Sequence, residues 1–205
     1  MAVRVKICGV TDPEDAAAAF ALGADAIGLN FHAPSSRAVT PATARAIVQH
    51  VGAGRCAVGV FVNASRARIA SVVREVGLTA LQLHGDEMPA DCSGWEPLTV
   101  VKALPAAGTA EDLAALAARF PVAYVLVDAP SGGYGGSGRT FPWHVAAGIA
   151  RERLIVAGGL SPDNVEEAVR TLRPAWVDVA SGVEDRPGRK SHAKLEAFIT
   201  AAKGA

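Results

Sequence analysis

The sequence has no excess of either charge, since twenty Lys and Arg balance twenty Asp and Glu. That excludes the basic footprint of a nucleic-acid binder and the polybasic face of a membrane-surface protein, and it favours a small neutral or phosphorylated substrate. Long apolar runs are missing too. No stretch free of charged residues exceeds eleven, short of the roughly 20 that a bilayer-spanning helix needs. The start of the chain carries no basic region followed by an apolar one, so a cytoplasmic location is expected. Cysteine is scarce: Cys8, Cys56 and Cys92 are odd in number and lack metal-ligand spacing, so neither a disulfide framework nor a zinc site is indicated. Linkers and low-complexity segments are also absent. What remains, half hydrophobic and one fifth charged over 205 residues, is enough for a full core, and residues 1–205 read as one domain.

Short apolar runs recur at 3–8, 26–31, 56–62, 80–83, 98–103, 123–127, 154–157 and 176–180. Helix starts stand between them. Thr11-Asp12-Pro13, Thr40-Pro41 and Ser161-Pro162 each put a capping residue beside a first-turn proline, and Ser65 and Thr109 are further caps. An interval of about 25 residues between strands suits a crossover helix and is far too long for hairpins, so the sheet is expected to be parallel. Eight such units predict a closed (β/α)8 barrel, with an open doubly wound sheet as the structural alternative.

In such a barrel every strand points its C-terminal end at one face, where functional residues collect. The first run ends in Cys8-Gly9, the second leads to Asn30 and Ser35-Ser36-Arg37, the fourth to Gln82-Leu83-His84-Gly85, and the sixth to Asp128, while the fifth carries Lys102. A thiol and a carboxyl at two strand tips are the titratable pair that acid/base chemistry requires. The last two runs finish in Gly158-Gly159 and Ser181-Gly182. Backbone amides bared by small residues form an anion pocket without a lysine, and phosphate is the expected anion.

The segments Lys6-Ile7-Cys8-Gly9-Val10-Thr11, Val58-Gly59-Val60-Phe61-Val62-Asn63, Leu81-Gln82-Leu83-His84-Gly85-Asp86-Glu87, the Asp128 loop with Gly135-Gly136-Ser137-Gly138, Ala157-Gly158-Gly159-Leu160 with Asn164-Val165, and Val177-Asp178-Val179-Ala180-Ser181-Gly182-Val183-Glu184 together resemble the phosphoribosylanthranilate isomerase family. They occur in the family's order over nearly the whole chain. The resemblance implies a (β/α)8 barrel of tryptophan biosynthesis that rearranges N-(5-phosphoribosyl)anthranilate to the carboxyphenylamino-deoxyribulose phosphate without a cofactor. It implies Asp128 as general acid, Cys8 as general base and Arg37 as the residue that orients the anthranilate. Gln82, His84 and Asp178 are expected among the substrate-binding groups, with Gly158, Gly159, Ser181 and Gly182 at the phosphate. The expected assembly is a monomer or a homodimer.

The residues supply reasons of their own. An Amadori rearrangement needs an acid for the furanose oxygen and a base for the neighbouring C–H. A general-acid carboxyl needs a raised pKa, and a thiol base needs a nearby positive charge. Lys6 lies two residues before Cys8, so both face the lumen by strand periodicity, and Asp178 on the adjoining eighth run is the expected partner of that ammonium. The expected pH profile is a bell whose acid limb belongs to Cys8, provided the thiol is the lower-titrating group. The loop 129–140, with Gly132, Gly133, Gly135, Gly136 and Gly138, reads as a lid. Ser36, Ser137, Pro142 and Ser191 depart from the family pattern. Competing readings are a histidine-pathway sister barrel, which needs carboxylates on strands one and five, a synthase built on Lys102, an isomerase of broadened specificity, and a non-catalytic phosphate-binding module.

Overall fold

Eight parallel strands close in sequence order into a barrel in the computed structural model, which describes residues 2–130 and 140–205. They are β1 (Arg4–Cys8), β2 (Ala26–Asn30), β3 (Cys56–Phe61), β4 (Ala80–Leu83), β5 (Thr99–Pro105), β6 (Tyr124–Asp128), β7 (Leu154–Val156) and β8 (Trp176–Val179). The pairing of β1 with β8 seals the barrel and sets Lys6 opposite Asp178, the register on which the expected ion pair depends. Five helices, α1 (Pro13–Ala21), α2 (Pro41–Val51), α3 (Arg66–Val76), α4 (Ala110–Ala118) and α5 (Val165–Leu172), lie between strands, and α6 (His192–Lys203) closes the chain. The glycine-rich lid falls almost wholly on residues 131–139, and Ser137 with it, outside the described residues.

Local chemistry starts the helices where the caps stand. Asp12 accepts from the amides of Glu14 and Asp15 with Pro13 in the first turn, Thr40 and Ser65 each accept from the amide three residues on, and Thr109 forms a capping box with Asp112. Ser161-Pro162 behaves differently. It opens a turn, in which the Asp163 amide donates to the Ser161 hydroxyl at 3.3 Å, and α5 begins only after Asn164. The expectation of a helix in every interval fails twice among the described residues. Between β4 and β5 a single 3-10 turn, Pro89–Cys92, makes the crossover, and between β6 and β7 two such turns, Trp143–Ala146 and Arg151–Arg153, do so. The first interval is short and broken by Pro89, Gly94 and Pro97, which starves it of helical hydrogen bonds.

The main core lies between barrel and helices; α3 contributes Ile69, Val72 and Val76 at helical spacing. Inside the barrel, alternate residues fill the lumen: Val101, Ala103, Leu126, Ile155 and Ala157 form one cluster, and Ala26, Val58 and Ala80 another. At the base Arg4 stacks on Trp176, its guanidinium carbon 4.3 Å from the ring centroid, and donates to the Tyr124 hydroxyl at 2.7 Å. The bottom is therefore plugged, and the open end is the one where the strands finish.

Lys102 lies between two lumenal residues of β5 and so points outward. Its ammonium donates to Glu87 Oε2 at 2.9 Å and to the carbonyls of Leu83 and Gly85 at 3.2 and 2.6 Å, with both charged side chains buried. This removes the residue on which the synthase reading stood. Glu87 also accepts from the amides of Asn63 and Gly85, so the pair clamps the loops after β3 and β4. Lys102→Met leaves a buried carboxylate without its cation and is expected to cost about 3 kcal/mol. A lowered urea midpoint, restored in part by adding Glu87→Gln, checks it.

Candidate active site

One cleft at the C-terminal mouth of the barrel is lined by Cys8, Gly9, Asn30, Ser35, Arg37, Val60, Val62, Gln82, His84, Asp128, Asp178 and Ala180. It brings together every catalytic and substrate-binding residue expected from the sequence. The four residues expected at the phosphate, Gly158, Gly159, Ser181 and Gly182, lie outside this lining, on the adjoining ends of β7 and β8. A roomier groove, beside Arg170, Arg173 and Lys203, receives no strand C-terminus; in barrels of this kind chemistry belongs to the other face.

Cys8 ends β1 with Lys6 below it. The Lys6 ammonium donates to Asp178 Oδ1 at 2.9 Å, both side chains being buried. Gly28, opposite Cys8 across the β1–β2 ladder, makes the space: a Cβ there would lie 2.9 Å from the sulfur and 3.0 Å from the Lys6 nitrogen. Burial opposes the Lys6 charge, yet Asp178 and the Cys8 thiolate outweigh it and hold the ammonium above its ordinary pKa. For the thiol the balance goes the other way. Burial pushes Cys8 up, Lys6 pulls it back, Asp178 pushes and Lys190 pulls, and the net is a thiol above its ordinary value. The expected pull of Lys6 is present but does not outweigh burial. Lys6→Met is expected to raise the thiol further, moving the midpoint of iodoacetamide alkylation against pH upward; an unmoved midpoint would remove Lys6 from the account.

Arg37 reaches the cleft from the loop after β2. Ser35 accepts from Asn30 Nδ2 and from the Arg37 amide, both at 3.2 Å, and the Val39 amide returns to the Asn30 carbonyl, so the loop is tied to its own strand. The side chain crosses Gly9, where a Cβ would meet its Cδ at 2.4 Å. Its guanidinium is held by Glu184, with Nε donating to Oε1 at 2.9 Å and Nη2 to Oε2 at 2.7 Å. Burial would raise the Glu184 carboxyl, but Arg37 and Lys190 hold it below the usual range. Among the described residues its side-chain hydrogen bonds run through Nε and Nη2, both to Glu184.

Asp128 ends β6. Its Oδ1 accepts from the Ala129 amide at 2.8 Å, and its Oδ2 lies 3.5 Å from His84 Nε2. Gln82 Nε2 and His84 Nδ1 are hydrogen-bonded at 2.8 Å, which leaves the other ring nitrogen, Nε2, facing the carboxyl. Gln82 and His84, read from the sequence only as polar groups of the mouth, thus form a file that ends on Asp128. Gly158 seats the far side of that carboxyl: a Cβ there would lie 2.4 Å from the Ala129 nitrogen and 2.8 Å from Asp128 Oδ1. Gly182 lets the ends of β7 and β8 meet, since a Cβ would lie 1.9 Å from the Leu160 carbonyl oxygen.

Three further parts were missed by sequence reasoning: Gly28, Lys190 and Glu184, the last visible only as the end of a motif. Period-two counting along the second run could have found Gly28; nothing local points to the others. Cys92 is buried, its thiol pushed up to about 11 mainly by desolvation, and Cys56 lies near the barrel base, so neither reaches the cleft. No group of His, Cys, Asp and Glu among the described residues could hold a metal ion, and none of the described helices is long and apolar enough to cross a membrane.

A family model described as N-(5'phosphoribosyl)anthranilate (PRA) isomerase matches residues 5–201. The chain is 47% identical over 207 residues to an N-(5'-phosphoribosyl)anthranilate isomerase of Myxococcus xanthus, covering 99% of this chain and 97% of that protein. Among solved structures it resembles the phosphoribosyl anthranilate isomerase of Thermotoga maritima, with TM-score 0.88, 42% identity and coverage of 99% and 100% of the two chains. It also resembles a phosphoribosyl anthranilate isomerase in complex with reduced 1-(o-carboxyphenylamino)-1-deoxyribulose 5-phosphate, with TM-score 0.85, 38% identity and the same coverage.

Proposed function

Because this chain belongs to the N-(5'-phosphoribosyl)anthranilate isomerase family, we propose that Asp128 and Cys8 are the acid and base of its Amadori rearrangement. The protein is an isomerase of tryptophan biosynthesis, acting on N-(5'-phosphoribosyl)anthranilate. The observation that carries the residue roles is that a thiol, a guanidinium and a carboxyl from β1, the loop after β2 and β6 line one cleft.

The chemistry divides as follows. Asp128 gives its proton to the furanose ring oxygen as the C1'–O bond breaks, and the anilino nitrogen supplies the electron pair of the resulting iminium. The Cys8 thiolate takes the C2' proton, and the electrons of that bond neutralise the iminium to an enolamine, which tautomerises to the ketone. C1' is reduced at the expense of C2', so no external oxidant or reductant enters the balance. One proton has left Asp128 and one has reached Cys8; the pair ends inverted and resets through solvent. Arg37 holds the anthranilate carboxylate, and His84 and Gln82 orient the acid. Asp178 turns its remaining carboxylate oxygen to the sugar hydroxyls. The amides of Gly158, Gly159, Ser181 and Gly182 bind the phosphate. All these groups come from one chain, so either a monomer or a homodimer would serve, and a charged phosphorylated substrate suits a cytoplasmic location.

Loss of substrate fluorescence on adding the protein tests the reading, and single-turnover measurement with C2'-deuterated substrate should show a primary isotope effect. No turnover of the anthranilate substrate would sink it. Arg37→Ala is expected to raise KM about 10-fold to 100-fold, the worth of charge-assisted hydrogen bonds, and to leave KM for the N-phosphoribosylaniline analogue, which lacks the carboxylate, much less changed.

A further inference from the structure

The hairpin after β8, formed by β9 (Glu184–Arg186) and β10 (Arg189–Lys190), puts a lysine beneath the cleft rather than in it. The Lys190 side chain is wholly buried. Its three ammonium protons find three acceptors: the Cys8 carbonyl at 2.6 Å, the Ala180 carbonyl at 3.0 Å and Glu184 Oε1 at 2.9 Å. Its own amide donates to Asp15 of α1 at 2.9 Å, a fully buried carboxylate that also meets His192 of α6 at 3.1 Å. Lys190 itself does not line the cleft. Each of the three acceptors nevertheless belongs to a different working part: the backbone of the base, the residue before Ser181-Gly182, and the carboxylate that grips Arg37.

We propose that Lys190 is a positioning residue that sets the separation between the thiol of Cys8 and the guanidinium of Arg37, acting on the first through its carbonyl and on the second through Glu184. The inference rests on the roles of Cys8 and Arg37 proposed above. Its physical basis is that a buried ion cluster is costly to form and rarely more stable than apolar packing of the same volume, whereas it fixes angles that apolar packing leaves loose. An ammonium with three bonds to three separate groups locks two loops and a strand end at once. A base and an anion clamp on separate loops would otherwise drift independently, and misplacement by about 1 Å is enough to cost on the order of 100-fold in rate.

The electrostatic setting agrees. The groups facing the thiol are Lys6 on its own strand, Asp178 on β8, Lys190 on β10 and Arg37 on the loop after β2, with Asp15 and His192 behind Lys190. Within that set Lys190 favours the thiolate. Burial brings the Lys190 ammonium below the ordinary lysine value against the opposing pull of Glu184 and Cys8.

Two variants test the inference. Glu184→Gln keeps shape and the lysine but weakens the grip on Arg37; KM for the anthranilate substrate should rise about 10-fold, with KM for N-phosphoribosylaniline nearly unchanged. Lys190→Met should lower kcat about 10-fold or more, raise KM for the anthranilate substrate by loosening Glu184, and shift the alkylation midpoint of Cys8 upward. In a double-mutant cycle its effect on KM should largely vanish once Arg37 is already alanine. Equal loss on both substrates in Glu184→Gln, or a fully additive cycle with an unmoved thiol midpoint, would overturn the proposal. Should Lys190→Met fail to fold, Lys190→Arg, which keeps the charge but cannot keep the three contacts at their present lengths, takes its place, and wild-type kcat and KM in it would overturn the proposal. Failure of the underlying roles shows itself elsewhere, as wild-type turnover in Cys8→Ala or an unchanged KM in Arg37→Ala.

Discussion

Cys8→Ala is expected to lower kcat by about 10²-fold to 10⁴-fold, the range a positioned base contributes, while the affinity for the reduced product analogue stays within a few fold. The sulfur occupies the one lumenal position that Gly28 leaves open above Lys6, so its removal deletes a proton acceptor without disturbing Arg37 or Asp128. The pH profile should change shape as well. Burial pushes the thiol above its ordinary value, so near neutral pH the thiolate is the minor form of Cys8. Lys6→Met should make it scarcer still and lower kcat/KM there, because the lysine draws the thiol down. In Cys8→Ala only the acid remains, and the residual rate should fall steadily as pH rises. Wild-type kcat in Cys8→Ala would end the case for the thiol as base.

The sequence was most readable where a rule of periodicity could be applied. Eight apolar runs at crossover spacing announced the barrel, and counting by two along the first strand placed Lys6 under Cys8 and named Asp178 as its partner, which the β1–β8 register shows. Caps were legible because their hydrogen bonds are local; Ser161 misled because a serine before proline opens a turn as readily as a helix. What stayed hidden depends on contacts that no local pattern encodes. Glu184 meets Arg37 across 147 positions, and Lys190 meets the Cys8 carbonyl across 182. The direction of the Cys8 shift was equally out of reach, since it is a contest between burial and charge, and burial is a property of the closed barrel. Lys102 illustrates the opposite error: its place on a strand was right, but its face could be told only from Val101 and Ala103 pointing inward on either side.

Asp128→Asn is expected to cost a similar factor in kcat, about 10²-fold to 10⁴-fold, through a different step. The amide is isosteric, so it can still accept from the Ala129 amide and sit against Gly158, and binding of the product analogue should persist. What it lacks is a proton acidic enough to follow the ring oxygen as the C1'–O bond breaks. Ring opening then limits the rate, and the isotope effect from C2' deuterium, expected in the wild type under single turnover, should shrink toward unity. With no carboxyl to deprotonate, the profile loses its maximum: activity should rise with pH through the thiol titration alone, the mirror image of the Cys8→Ala profile. An Asp128→Asn protein that kept both a bell-shaped profile and a full C2' isotope effect would assign ring opening to another donor, with His84, 3.5 Å from the carboxyl, the next residue to test.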